Sequence, residues 1–306
     1  MGYPLRYVPE GGALVEVTIN TIQGRYLLRP DARGRVNELI LGVIGRAQEL
    51  YSISIVAVAA LSSHMHLLLV PETAKQLADF MRHMNTNLSR EIGRLHNWPG
   101  KLLERRYRAI LVSDEPEDQI ARLRYLLAAG VKEQLVERAI NWPGVHSARA
   151  LTRDHPLRGW WFDRSREYAE KRRGKHFGRY EHATEMTVQL DPLPSWRHLK
   201  ISEVRRRCRD LLREIQGEAA VERRFTEKEV LGPEAAMTYD PHHRPENLER
   251  SPAPPFHARG RVVRKAMRDA YAWVVTEYRE AAERLRGGDP LAKFPEGTFP
   301  PSLPFV

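Results

Sequence analysis

The chain has 306 residues and 42% hydrophobic content, enough for one large or two ordinary cores and too apolar for a disordered protein. Lysine and arginine exceed aspartate and glutamate by ten (49 against 39), so the isoelectric point is near 9.8 and attraction to polyanions is predicted. No apolar run reaches the roughly 18 residues of a membrane span, no leader-like segment is recognisable, and the one cysteine, Cys208, excludes an internal disulfide and a multi-cysteine zinc cluster. A soluble cytoplasmic protein without a membrane partner is expected.

Residues 13–21 are β-branched and bounded by glycines, which predicts a first strand. Leu39, Ile40, Val43, Ile44, Ala47 and Leu50 have helical spacing over 35–50. Strands are predicted at 53–60 and 64–70, then a helix over 75–96 with Leu77, Phe80, Met81, Met84, Leu88 and Ile92 on one face. A fourth strand, 107–112, precedes a helix over 115–129 that Gly130 is placed to end. This order predicts an α+β fold: a ferredoxin-like split βαβ core with an antiparallel sheet, helices on one face and one extra helix.

The character changes near residue 150, which predicts two domains, 1–150 and a basic, α-rich extension over 151–306. The extension holds a charged stretch at 164–179, with seven cations against two glutamates. A strand-like piece at 186–190 and helices at 200–216 and 261–286 follow, with an irregular Pro- and His-rich stretch at 239–258 between the helices. Cys208 shares an apolar stripe with Ile201, Val204, Leu211, Leu212 and Ile215 and reads as core. The extension could be a DNA-binding domain.

Ser63-His64-Met65-His66-Leu67-Leu68-Leu69-Val70 is the most informative segment. On a strand, residues i and i+2 share a face, so His64 and His66 present two imidazoles side by side. Such a pair either holds a divalent metal or is hydrogen-bonded within a core. On the helix 115–129, Tyr125 lies roughly 140° from Ile120 of the apolar stripe, with Asp118, Arg122 and Ala129 on its side. Its ring either packs on a loop or presents a hydroxyl to substrate. A phenol is a poor nucleophile unless its electrophile is activated, and a metal could activate a phosphodiester. Lys101, Arg105, Arg106 and Arg108 flank Tyr107, a pattern suited to phosphates and a stacked base and equally found on solvated surfaces. Phosphate contacts are expected from this segment and from 164–179.

Taken in order, Leu-Ser-Ser-His64-Met65-His66-Leu-Leu-Leu, an amphipathic helix, Leu103-Glu-Arg-Arg-Tyr-Arg, Arg124-Tyr125-Leu-Leu-Ala-Ala-Gly-Val-Lys132 and Trp142-Pro-Gly-Val-His-Ser147 resemble the single-tyrosine HUH transposases, including the REP-associated tyrosine transposases. The resemblance covers about residues 10–150. It implies a divalent cation, Mg²⁺ or Mn²⁺, on His64 and His66, and Tyr125 as nucleophile on single-stranded or hairpin DNA, giving a 5′-phosphotyrosine link and a free 3′-hydroxyl. It leaves monomer and homodimer open. One departure stands out: where the family commonly has a polar metal-holding residue one turn after the tyrosine, this chain has Ala129, with Asp118 or water as substitutes. The alternative is therefore a DNA-binding protein with a decayed site.

Overall fold

The structure is a computed structural model that describes residues 4–104, 106–246 and 254–301. Strands β1 (Val15–Asn20), β2 (Ser54–Ala60), β3 (His64–Val70) and β4 (Arg108–Val112) form an antiparallel sheet in the order β2-β3-β1-β4. Helices α1 (Arg35–Tyr51) and α2 (Ala74–Leu95) make the two crossovers, as a split βαβ core requires. The short β7 (Phe256–His257) adds a parallel fifth strand beside β4.

The alternation of side chains along the strands assigns the two faces. Val15, Val17 and Ile19 of β1 and Met65, Leu67 and Leu69 of β3 pack with α1 and α2. The other face is also covered, which corrects the expectation of helices on one side only. Helix α3 (Pro116–Leu127) packs Leu123, Leu126 and Leu127 there, against Leu68, Val56 and Ala59. Both faces of β2 and β3 are thus buried, which is why they read as continuous apolar runs.

The residues after 150 pack into the same two cores. Helix α4 (Ala148–Thr152) leads into a hairpin of β5 (Leu157–Phe162) and β6 (Ala183–Val188), connected through α5 (Arg164–Arg172), and the hairpin lies along α1. Two glycines permit that approach: a Cβ on Gly42 would run into the backbone of Trp160, and one on Gly159 into the carbonyl of Glu38 and the amide of Gly42. Helix α6 (Ile201–Thr226) closes the second core with Val204, Cys208, Leu211 and Ile215, so Cys208 is core, its thiol pushed up to about 12 by burial. The short α7 (Pro233–Thr238) follows. Helix α8 (Arg261–Arg286) buries only Val274 and Ala281 and presents most of its length to solvent. Among the described residues, no helix is long and apolar enough to cross a membrane.

Candidate active site

Strand β3 carries His64 and His66 on the face covered by α3, with ring centres 5.0 Å apart and planes nearly perpendicular. The Nδ1 atom of His66 lies 3.1 Å from Glu16 Oε1 and 3.2 Å from Thr18 Oγ1, both on β1. The Nδ1 atom of His64 lies 3.2 Å from Ser63 Oγ. Neither Nε2 has a hydrogen-bond partner among the described residues. A proton held on Nδ1 of His66 and donated to Glu16 leaves the Nε2 lone pair available. Burial, reinforced by the neighbouring ring and Lys132, holds His64 at about 3, while burial and Lys132 hold His66 at about 4. Both are neutral imidazoles near pH 7, the protonation state that metal ligation requires.

Glu16 is buried on the face of β1 that also carries Thr18, and its second oxygen forms an ion pair with Arg122 of α3. The guanidinium of Arg122 stands 4.7 Å from the centre of the Tyr125 ring. Tyr125 itself is 40% exposed, and its ring centre lies 5.7 Å from that of His66. The helix ends two residues later, at Leu127, and the chain reverses at Gly130, which adopts φ +84° and whose amide donates to Glu133 Oε2 at 2.6 Å. The turn that follows folds Lys132 back over Tyr125, its Nζ 3.6 Å from the ring centre. Two imidazoles, a part-exposed phenol and two cations therefore converge on one patch.

The other expected residues are distributed differently. Ala129 is buried and offers no ligand. Asp118 is no substitute for it, because its carboxylate accepts from Ser113 Oγ at 2.5 Å and from the Arg259 amide at 2.8 Å. Glu133 is the acidic side chain that acts on His66 besides Glu16. Among the described residues, the one set of three His, Asp or Glu donors within 4.8 Å of one another is Glu170, Glu181 and His182, on the α5–β6 connection. The basic segment is split. Thr18 pairs with His66 on one side and with Arg108 on the other, so Arg108 lies in a row with the histidine, about 10 Å across the sheet. Lys101 and Arg106 line a cavity at the β4 edge, which Arg108 also lines, and Arg105 lies outside the described residues. In the stretch 164–179, Arg164 is committed to Glu91 and Glu167, Arg166 to Glu170, and Arg179 to Glu38.

Glu16, Thr18 and Lys132 were not singled out by sequence reasoning. Glu16 and Thr18 did leave a signal: polar residues at alternate positions of an apolar strand mark a face that carries more than packing. Lys132 left none, because only the reversal at Gly130 brings it back to the ring.

No family model and no curated protein matches the chain. Among solved structures it is similar to a REP-associated tyrosine transposase bound to a REP hairpin, at 17% identity and a TM-score of 0.38, over 48% of this chain and 82% of that one. It is also similar to a putative transposase from Deinococcus radiodurans R1, at 18% identity and a TM-score of 0.29, over 40% of this chain and 95% of that one.

Proposed function

We propose that the chain is a transposase-like, metal-dependent single-stranded DNA endonuclease and strand transferase, with Tyr125 as nucleophile and His64 and His66 as ligands of a divalent cation. The observation that carries this reading is the placement of the part-exposed Tyr125 ring 5.7 Å from His66, one of two adjacent neutral imidazoles whose Nε2 atoms have no hydrogen-bond partner among the described residues. The donor set fits a cation such as Mn²⁺, which accepts imidazole more readily than Mg²⁺ does. When bound, such an ion supplies Lewis-acid polarisation of a phosphodiester oxygen.

The chain's own residues account for the rest. Glu16 and Thr18 fix the tautomer and tilt of His66. Lys132 and Arg122 set positive charge against the face of Tyr125, where an approaching phosphate would be drawn. The Tyr125 oxygen forms a bond to phosphorus and gives up its proton. The bond from phosphorus to the 3′-oxygen of the preceding nucleotide breaks, and that oxygen leaves as a hydroxyl. The resulting 5′-phosphotyrosine keeps the ester bond, so a second 3′-hydroxyl can reverse the step on another end without an energy source. Arg108, in line with His66, is suited to hold a neighbouring phosphate.

A second reading has a specific observation behind it. Ala129 supplies no third ligand, and among the described residues no Asp, Glu, Cys or further His completes a set of three donors within 4.8 Å with His64 and His66. A DNA-binding protein that no longer cleaves would have this appearance. Incubation with single-stranded hairpin DNA from the flanks of its own gene, with and without Mn²⁺, followed by a denaturing gel, separates the two. A Mn²⁺-dependent covalent protein–DNA band supports the nuclease, and salt-sensitive binding without that band supports the decayed site.

A further inference from the structure

A cavity of about 870 Å³ opens at the β4 edge, with its floor on the sheet face that carries α1 and α2; Asn20, the register partner of His64, and Arg108, in the row of His66, also line it. The floor is apolar, formed by Val15, Ile19, Leu77 and Leu111. Its walls are aromatic: Tyr271 of α8 lies 6.2 Å from Tyr7 and 5.2 Å from Phe256, ring centre to ring centre. Lys101 and Arg106 line it, with Asn20 and Glu104 as additional polar groups.

Two polar groups in this lining are without partners. The hydroxyl of Tyr107, a residue only 8% exposed, and the Nε of Arg6 are both buried, and neither makes a hydrogen bond among the described residues. Arg6 lies over the Tyr107 ring, 5.5 Å from its centre, and its charge acts on the Tyr107 hydroxyl. Buried donors left unpaired are costly and rare in folded proteins, and a polar ligand would satisfy both. Aromatic walls, an apolar floor and a cationic rim together suit a flat, polar-edged group carrying a negative charge.

We infer that this cavity is a binding site for one unstacked nucleotide of a single DNA strand. Its base would lie against Tyr7, Tyr271 and Phe256, its edge would meet Tyr107, Arg6 and Glu104, and its phosphate would meet Lys101 and Arg106. The inference rests on the single-strand DNA reading above and adds base selection to it, at a cavity lined by none of His64, His66 and Tyr125.

The test uses the full chain and two kinds of probe. The four deoxynucleoside 5′-monophosphates are titrated by calorimetry, and fluorescent 12-nucleotide single strands that differ at one position are titrated by anisotropy. Wild type is expected to prefer one monophosphate and the strands that contain that base. Tyr271→Leu, which keeps apolar bulk, should weaken binding of all strands about tenfold through lost stacking. Tyr107→Phe should erase the preference between bases, with an unchanged melting temperature as the control for folding. Strand binding that is identical in wild type and both variants overturns the cavity and leaves the nuclease reading standing. Monophosphate and strand binding that responds to both variants, in a protein that never forms a covalent adduct, keeps the cavity and removes the nuclease. Absence of binding to any strand and any monophosphate overturns both.

Discussion

Glu16 Oε1 lies 3.1 Å from Nδ1 of His66, while the other oxygen of the same carboxylate is paired with Arg122. One buried acid thus links the imidazole on β3 to the helix that carries Tyr125. The arrangement is the carboxylate–histidine pairing that orients metal-binding imidazoles, and it doubles as the neutralising partner of a guanidinium that is itself largely buried.

Glu16→Ala should leave the Arg122 charge uncompensated and destabilise the fold by about 3–5 kcal/mol. Glu16→Ala combined with Arg122→Met should recover most of that loss, because the unpaired charge goes with it. Urea denaturation of wild type, both single variants and the double variant completes the cycle. Equal and additive losses would mean that the two side chains do not act as a pair. Glu16→Gln, which keeps shape but not charge, should weaken Mn²⁺ binding about 10- to 100-fold in calorimetry.

Lys132 stands over the Tyr125 ring and acts electrostatically on both histidines. Lys132→Met should lower the rate of adduct formation by about 100-fold. Single-turnover gels check the rate, and anisotropy with the same strand should change by far less. A loss confined to DNA affinity would make Lys132 a binding residue only.

His146 is buried, its Nδ1 accepts from the Ala148 amide at 3.0 Å, and burial holds it at about 4, below the ordinary 6.5. A histidine depressed in the folded state takes up its proton more readily when unfolded. Its contribution is therefore complete above pH 6.5 and is lost as the pH falls from there towards 4. His146→Gln should flatten the decline of urea stability across that window, after an initial cost of about 1 kcal/mol for the altered hydrogen bond. His64 and His66 keep part of the slope in the variant. An unchanged slope would mean that His146 is protonated in the fold.

Gly159→Ala would push a methyl group into the backbone of α1 at Glu38 and Gly42. We expect a loss of about 1–3 kcal/mol from the forced separation of hairpin and helix. Thermal melts of wild type and the variant check it, and a melting temperature within a degree of wild type would mean that the hairpin moves away freely.

The first seven core elements were legible because each has one strong periodicity: alternation or an apolar run for the strands, and the 3.6-residue stripe for the helices. The face chosen by α3 was not, since β2 and β3 are apolar on both sides and their sequence does not distinguish one layer from two. The β5–β6 hairpin was missed as a pair because its strands are separated by α5 and its loops instead of a short turn, and because Gly159 breaks the pattern of β5. At the site, local spacing gave His64, His66 and the outward position of Tyr125. Helical spacing also put Arg122 on the side of Tyr125, whereas Glu16 and Lys132 come from other segments and reach the site only through the sheet register and the turn at Gly130. The charged stretch 164–179 looked like a polyanion surface because sequence does not reveal that Glu38, Glu91, Glu167 and Glu170 neutralise several of its cations.

Attack on DNA by the Tyr125 hydroxyl beside the His64–His66 pair is the step on which the proposed function turns. Its most direct measurement is a Mn²⁺-dependent reaction with end-labelled single-stranded hairpin DNA, resolved on a denaturing gel for wild type, Tyr125→Phe and Tyr107→Phe. Removing one oxygen from a part-exposed ring leaves the fold intact, so Tyr125→Phe should bind DNA and form no covalent band, while wild type forms it and Tyr107→Phe forms it without the wild-type preference between bases. A covalent band that persists in Tyr125→Phe, or its absence in wild type on every flanking substrate, would contradict the account.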